Sequence, residues 1–304
     1  MTARQKCIRR SPPGDRVRPT IPIPDVFSQL LSMKIATWNV NSIRTRQGIV
    51  RDWLEASAVD VLCLQETKVV DADFPREPFT DLGYNLYISG QKAYNGVAIL
   101  SRSPATRIDI GFRSILGSSA VADLDEQKRV ISGVFDGVRV VNLYVPNGGD
   151  YDSDKYHYKL RWLEKLRDYI ERLLAEGNQH LCMCGDFNIA PDDRDIHTPK
   201  TPEDKVVGTM PAERDALNAV LKLDLADAFR KFESAGNIFS WWDYRAASFR
   251  RNRGWRIDHL YLTPDLYNAA TACTIDVEPR KLPKPSDHTP VIVELDAPSV
   301  WLRV

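Results

Sequence analysis

Three absences narrow the field for this 304-residue sequence. It has no net charge: 41 basic residues balance 41 acidic ones, so whole-chain electrostatics point to neither a nucleic acid nor a membrane surface. It has no apolar run approaching the ~20 residues that cross a bilayer. It also lacks an even, regularly spaced set of cysteines. The five, at positions 7, 63, 182, 184 and 273, are scattered and mostly embedded in apolar runs. That excludes a disulfide framework and points to reduced, cytoplasmic thiols. Cys182 and Cys184 stand near His180, but no second ligand pair lies at zinc spacing, which favours buried strand residues over a metal site.

Charge is unevenly distributed. Residues 1–32 hold Arg4, Lys6, Arg9, Arg10, Arg16 and Arg18 against Asp15 and Asp25, leaving 35 basic and 39 acidic residues in the rest. The same stretch carries Pro12, Pro13, Pro19, Pro22 and Pro24 and little apolar periodicity. It reads as a disordered leader or a start assigned too early. An export signal would need an apolar stretch of about 7 to 15 residues after the basic segment, and none is present. From Met33 on, no Gly-, Ser- or Pro-rich break is long enough to separate one domain from another, so residues 33–304 are expected to form a single one.

Short β-branched runs alternate with helical segments. Strands are expected at Lys34 to Trp38, Val59 to Gln65, Tyr84 to Ser89, Val97 to Ser101, Val130 to Phe135, Val138 to Val145, His180 to Gly185, Arg256 to Leu262 and Pro290 to Leu295. Asp136-Gly137 signals a hairpin. The clearest helix spans Ser153 to Glu176, with Leu160, Leu163, Ile170 and Leu174 as its apolar stripe and Gly177 as its stop. Shorter helices are expected near Thr45 to Ala56 and Ala212 to Lys222. The pattern implies a layered α/β domain, with sheets packed face to face and helices outside.

Four expected strands end in, or contain, polar residues that an ordinary strand terminus would not need: Asn39 and Asn41, Gln65 to Lys68, Asp186 and Asn188, and Asp258 with His259. Asp287-His288 stands just before a fifth. Singly, these residues suit turns, caps or solvated strand ends. Gathered at one sheet edge, they would surround an imidazole with carboxylates and amides, a composition suited to a hard cation and a phosphate. The segment Tyr244 to Arg256 carries Arg245, Arg250, Arg251, Arg253 and Arg256 with no acidic residue. It reads as a phosphate-tracking loop, with a solvated charge run as the alternative.

The series WNVNSIR (38–44), LQETK (64–68), YNGVAILSR (94–102), NLYVPNGG (142–149), GDFNIAP (185–191), FSWWDYR (239–245), WRIDHLYL (255–262) and PSDHTPV (285–291) resembles the exonuclease III family of abasic-site endonucleases, within the deoxyribonuclease I-like superfamily. The resemblance implies a four-layered α/β sandwich of two mixed sheets flanked by helices. It implies Mg²⁺, with Mn²⁺ as a substitute, held by Glu66 with Asn39 and Asn41 beside it and Asp287 as a further carboxylate. Asp186 would activate water, Asn188 would position it, and Asp258 would hold His288 as an imidazolium. Between Asp186 and His288 as general base, Asp186 is favoured, because a protonated imidazole has no lone pair to offer. Tyr144 and Asn147 would donate to phosphate oxygens. Trp241, Trp255 and Ile257 would shape a pocket for a base-less sugar, and Arg250, Arg251 and Arg253 would follow the backbone.

Asn41 and Asp150 depart from some relatives, which place an aspartate and a basic residue there. The implied enzyme is a monomeric, cytoplasmic DNA repair nuclease. It would act on duplex DNA with abasic sites or 3′ ends, cutting 5′ to abasic sites with 3′-to-5′ exonuclease and 3′-phosphatase activity. A same-fold phosphatase for phosphoinositide or phospholipid head groups is the alternative. A non-catalytic DNA-binding scaffold would have no need of the complete polar set.

A chain beginning at Met33 is expected to unfold cooperatively and keep its activity; loss of cooperative unfolding in urea would contradict the reading of residues 1–32 as a leader.

Overall fold

The computed structural model describes residues 32–296. The expected leader, apart from Ser32, lies outside the described residues, as does Cys7. Among the described residues, twelve strands form two six-stranded sheets. They are β1 (Ser32–Asn39), β2 (Val61–Gln65), β3 (Asn85–Ser89), β4 (Val97–Ser101), β5 (Arg107–Ile110), β6 (Val130–Phe135), β7 (Val138–Tyr144), β8 (Leu181–Asp186), β9 (Ala226–Asp227), β10 (Asp258–Leu262), β11 (Ala270–Ile275) and β12 (Val291–Asp296). The sheet orders are β11-β12-β1-β2-β4-β3 and β5-β6-β7-β8-β10-β9.

Alternation of side chains across each strand makes four layers. Ile35, Val61, Cys63, Val97 and Ile99 of the first sheet meet Ile131, Val140, Cys182, Cys184 and Leu260 of the second. On the first sheet's other face, Ala36, Trp38, Leu62 and Leu64 pack against the helix Ile43–Ser57. On the second sheet's, Val141, Leu143, Leu181 and Met183 pack against the helices Asp154–Ala175 and Pro211–Leu221. Strands covered on both faces read as continuous apolar runs, which is why the central ones are legible in the sequence. The three strands that the apolar pattern does not reveal, β5, β9 and β11, all sit at sheet edges. β5 and β9 have only four and two residues, and β11, ATACTI, mixes small and polar residues with its apolar ones, so none of the three forms a continuous apolar run.

Local signals hold where their chemistry is specific. Asp136 and Gly137 both take positive φ, +46° and +80°, as a two-residue hairpin turn requires. Ser153 Oγ accepts from the Tyr156 amide at the start of its helix, and Gly177, with φ +90°, ends it. The buried stripe of that helix differs from expectation: Tyr156, Lys159, Trp162, Leu163, Leu166, Tyr169, Ile170 and Leu173 face inward, and Leu160 and Leu174 are only half-buried.

Topology then delivers the polar strand ends to one edge. β1 with β2, and β7 with β8, are the parallel pairs, so each brings two C-terminal ends together. β10 runs antiparallel to β8, and its first residue, Asp258, stands in register with the last residue of β8, Asp186. β12 runs antiparallel to β1, so the segment leading into it, Ser286 to Pro290, returns beside Asn39. Ser286 Oγ donates to the Asn39 carbonyl at 2.7 Å and accepts from the His288 amide at 3.2 Å, which fixes that return.

A buried polar bridge joins the sheets beneath this edge. Gln65 Nε2 donates to Asn142 Oδ1 at 2.8 Å, and Asn142 Nδ2 donates to the carbonyls of Leu64 and Ala98 at 3.0 and 2.8 Å. Asn142→Ala should therefore lower the unfolding free energy by about 2 kcal/mol in urea titration, since it strips partners from buried polar groups; a loss under about 0.5 kcal/mol would show that the bridge is dispensable.

Candidate active site

Asp186 is the centre of the strand-end cluster. It is 1% exposed, and the glycine before it permits the placement: a Cβ on Gly185 would lie 1.9 Å from the Leu143 carbonyl oxygen. Asp186 Oδ2 accepts from Asn39 Nδ2 at 2.9 Å, and Oδ1 accepts from the Asn188 amide at 2.9 Å. Burial pushes its carboxyl up to about 7, with Asp258 and Glu66 adding to the shift and His288 and Asn39 opposing it.

The Asn39 amide also donates to Glu66 Oε1 at 2.8 Å, so it bridges the two carboxylates. Glu66 stands just past β2 with φ +51°, a conformation that costs a non-glycine residue about 1 kcal/mol or more. The strain is held by backbone bonds from Ser42 to the Glu66 carbonyl and from Thr67 to Gly96. Burial opposes its charge, but the Lys68 ammonium 2.7 Å away and the Asn39 amide hold its carboxyl below the usual range.

His288 is 4% exposed. Its Nδ1 lies 2.9 Å from Asp258 Oδ2 and its Nε2 lies 3.8 Å from Asp186 Oδ2. Burial works against the charged ring, yet the Asp258 and Asp186 carboxylates outweigh it and raise the imidazole to about 10. It is therefore a cation at neutral pH, with Nδ1–H directed at Asp258. Ser240 Oγ fixes Asp258 in turn, accepting from the Ile257 and Asp258 amides at 3.1 Å each.

Glu66, Asp186 and His288 bring one potential ligand atom each within 4.8 Å of one another. A protonated imidazole cannot ligate a metal, which leaves two carboxylates. Glu66, Asp186, Asp258 and Asp287 stand around this edge, and among the described residues the cations within ion-pair distance of them are Lys68 and His288, with Lys159 and Arg280 acting on Asp186 and Asp287 from further off. The surplus of carboxylate oxygen fits a hard divalent ion that keeps most of its water.

The other expected residues fall in three positions. Asn188 Oδ1 accepts from Asn147 Nδ2 at 3.1 Å, so both amides reach the cluster. Tyr144 lies near Glu66 and Asp186; burial and those carboxylates push its phenol well up, which keeps it a donor. Asn41 and Asp287 stand to one side. Asn41 Nδ2 donates to Asp287 Oδ1 at 3.0 Å and its Oδ1 accepts from Lys68 at 2.5 Å, while Trp241 Nε1 donates to Asp287 Oδ2 at 3.0 Å. Asp287 thereby fixes the wall formed by Trp241, which meets Trp255 edge to face with centroids 5.9 Å apart. Trp241 and Trp255 cover a small apolar cluster of Ala190, Ile196 and Ile257.

The arginine segment divides. Arg250, Arg251 and Arg253 are exposed and, among the described residues, form no ion pair. Arg245 is clamped by Asp243 at 2.8 Å. Arg256 is 1% exposed and bonded to Asp195 and Asp227, so, contrary to expectation, it cannot track a phosphate backbone.

Several supports of the site escape sequence reasoning. Lys159, fully buried on the apolar stripe of its helix, donates to the carbonyls of Asn188 and Asn147 at 2.8 and 3.3 Å and pairs with Glu213. A lysine in register with an apolar stripe is the one signal that could have found it. Arg129 lies over the Tyr144 ring at 4.5 Å and holds that side chain. Ala190 and Ile196 give no signal, being ordinary apolar residues.

Residues 36–288 match the model of the endonuclease/exonuclease/phosphatase family. The chain is 34% identical over 273 residues to exodeoxyribonuclease III of Haemophilus influenzae, an alignment covering 86% of this chain and 99% of that one. Its structure is similar to the 3′ phosphatase NExo from Neisseria bound to a product DNA hairpin, with TM-score 0.80, 37% identity and coverage of 87% and 100% of the two chains. It is similarly close to an AP endonuclease from Archaeoglobus fulgidus, with TM-score 0.79, 37% identity and coverage of 87% and 100%. Together with the four-layered sandwich and the carboxylate–imidazole edge, these similarities place the chain in the endonuclease/exonuclease/phosphatase family of hydrolytic enzymes, on its exodeoxyribonuclease III branch.

Proposed function

We propose that residues 33–304 act as a single catalytic domain, a DNA repair phosphodiesterase that requires Mg²⁺, accepts Mn²⁺, and cuts duplex DNA on the 5′ side of abasic sites. Exonuclease action at 3′ ends and removal of 3′-phosphates would use the same centre. The observation that carries this reading is the pairing of unlike groups at Asp186 and His288: a buried carboxylate 3.8 Å from an imidazole that a second buried carboxylate, Asp258, holds at 2.9 Å and keeps protonated.

Each role follows from that pairing. Asp186 accepts the proton of the attacking water, a task suited to a carboxyl poised near the working pH. Asn188, whose amide nitrogen donates to both Asp186 and the Val145 carbonyl, orients that water. His288 faces the phosphate as a fixed cation and stabilises charge as it develops, with Asp258 holding the ring. Tyr144 and Asn147 donate hydrogen bonds to phosphate oxygens. Glu66 would hold the divalent ion beside Asp186, with the Asn39 amide bridging the two carboxylates; when bound it would supply Lewis-acid stabilisation of the scissile phosphate and the departing oxygen.

Choice of substrate falls to other residues. Trp241, Trp255 and Ile257 would accept an extruded sugar that carries no base, whereas an intact nucleotide would have to unstack and would not fit. Arg250, Arg251 and Arg253 would contact the flanking phosphates, giving a steep loss of affinity with salt. The names of the similar proteins, an exodeoxyribonuclease III, a 3′ phosphatase and an AP endonuclease, support DNA over a phospholipid head group.

The purified protein should cleave an oligonucleotide duplex bearing one abasic analogue in Mg²⁺ and stop on addition of EDTA, and Asp186→Asn or His288→Ala should lower turnover by about 10²- to 10⁴-fold with the fold intact. Cleavage that persists in EDTA would remove the metal from the account, and near-normal turnover in either variant would remove that residue.

A further inference from the structure

Behind the apolar patch lies a second group of buried charges that takes no part in the chemistry above. Arg256 Nε and Nη2 donate to the two oxygens of Asp195 at 2.6 and 3.1 Å, and Nη2 also donates to Asp227 Oδ2 at 2.8 Å. Arg230 Nη2 donates to Asp195 Oδ1 at 2.5 Å. Arg256 Nη1 lies 3.1 Å from His259 Nδ1, and His259 Nε2 lies 3.0 Å from the Ile189 carbonyl. A carbonyl only accepts and a guanidinium only donates, so His259 must be the neutral tautomer with its proton on Nε2. Burial and the neighbouring arginine lower its imidazole to about 4, in agreement with that geometry.

This lattice adjoins the apolar patch at three points along the chain. Asp195 precedes Ile196, Ile189 precedes Ala190, and Arg256 stands between Trp255 and Ile257. The backbone is clipped at the same places, with the Arg256 amide donating to the Asp195 carbonyl at 2.8 Å and the His197 amide to the Gly254 carbonyl at 3.0 Å. Gly208 closes the far side, where a Cβ would lie 2.9 Å from the Trp255 ring. Three separate segments of chain are thus held in register behind one small apolar surface. A hydrophobic contact alone would allow them to slide, because such contacts have no direction. A bidentate guanidinium–carboxylate pair does not, because its fork fixes both distance and angle.

We infer that the Asp195–Arg256–His259–Asp227 lattice sets the width of the apolar pocket, which makes these four residues positioning residues for the choice between an abasic sugar and an intact nucleotide. The inference rests on the pocket reading given under the proposed function. Its two carboxylates are matched by Arg256 and Arg230, so the lattice needs no added ion and holds its shape with or without one. That separates it from the catalytic edge, where carboxylates are in surplus.

The test compares kcat/KM on a duplex with one abasic analogue with that on the same duplex undamaged, in Mg²⁺, for the full chain and two variants. Asp195→Asn keeps the volume and removes the charge, and should reduce the ratio about tenfold or more through misplaced walls. Arg230→Met removes the outer cation, leaves the bidentate pair, and should reduce the ratio less but in the same direction. In both, the Mg²⁺ concentration giving half-maximal rate should stay at the wild-type value, since the lattice does not touch Glu66 or Asp186. A role in stability alone would lower both rates together and leave the ratio unchanged, and an unchanged ratio in the variants overturns the inference. Should Asp195→Asn fail to fold, the Arg230→Met ratio decides. A wild-type ratio near one defeats the abasic-site reading and this inference with it; a high wild-type ratio retained in both variants defeats the inference alone.

Discussion

Two carboxylates buried in register across β8 and β10, with one imidazole to share, are the constraint from which the rest of this molecule follows. Asp186 and Asp258 are 1% and 0% exposed, and like charges held away from water repel strongly. His288 relieves the repulsion: at about 4 Å, opposite unit charges attract by on the order of 4 kcal/mol at an effective dielectric near 20. A single cation between two anions leaves a remainder. Burial first, and that remainder after it, push the Asp186 carboxyl up to about 7, while Asp258 is in hydrogen-bond contact with the imidazolium Nδ1. The β8–β10 register and the return of Ser286 to Pro290 beside β1 have to hold to within a fraction of an ångström for the balance to exist. Ser240 and Ser286 hold them with single hydroxyls.

The molecule contains two ionic assemblies with opposite character. Around Asp195, charge is balanced and matched by bidentate geometry, with Arg256 and Asp195 buried and Arg230 and Asp227 partly exposed; around Asp186, carboxylates outnumber the cations within ion-pair distance. The first behaves as scaffold and the second as a site suited to a positive partner. Lys68 sits 2.7 Å from Glu66 and shares Asn41 with Asp287, and so offsets a fraction of the surplus without removing it. Asn41, Glu66, Lys68 and Asn188 adopt positive φ at this edge, a conformation that other loop residues of the chain, such as Ala58 and Asp224, also take.

The gathering of polar strand ends at one edge is largely legible in the sequence because its signals are chemical. A strand that ends in Asp186 and Asn188, or begins at Asp258, carries side chains that folding alone does not require. The edge strands β5, β9 and β11 are not legible, since nothing in their composition distinguishes them from loops. Arg256 misleads for a related reason: a run of arginines in one dimension does not say which of them turns inward, and the alternation that exposes Arg253 and buries Arg256 exists only once the chain pairs with Asp195. The apolar cluster is half legible. Trp241, Trp255 and Ile257 stand out in the sequence, whereas Ala190 and Ile196, which pack with them, do not.

The central claim, that Asp186 is held near neutrality and yields its proton when a cation arrives, can be measured without turnover. Calorimetric titration of Mg²⁺ at pH 7 in buffers of different ionisation enthalpy should show protons released as the ion binds, because a carboxyl pushed up to about 7 is partly protonated there. The Asp186→Asn chain should release none. Binding with no proton release in the wild-type protein, or with the same release in Asp186→Asn, would contradict the account.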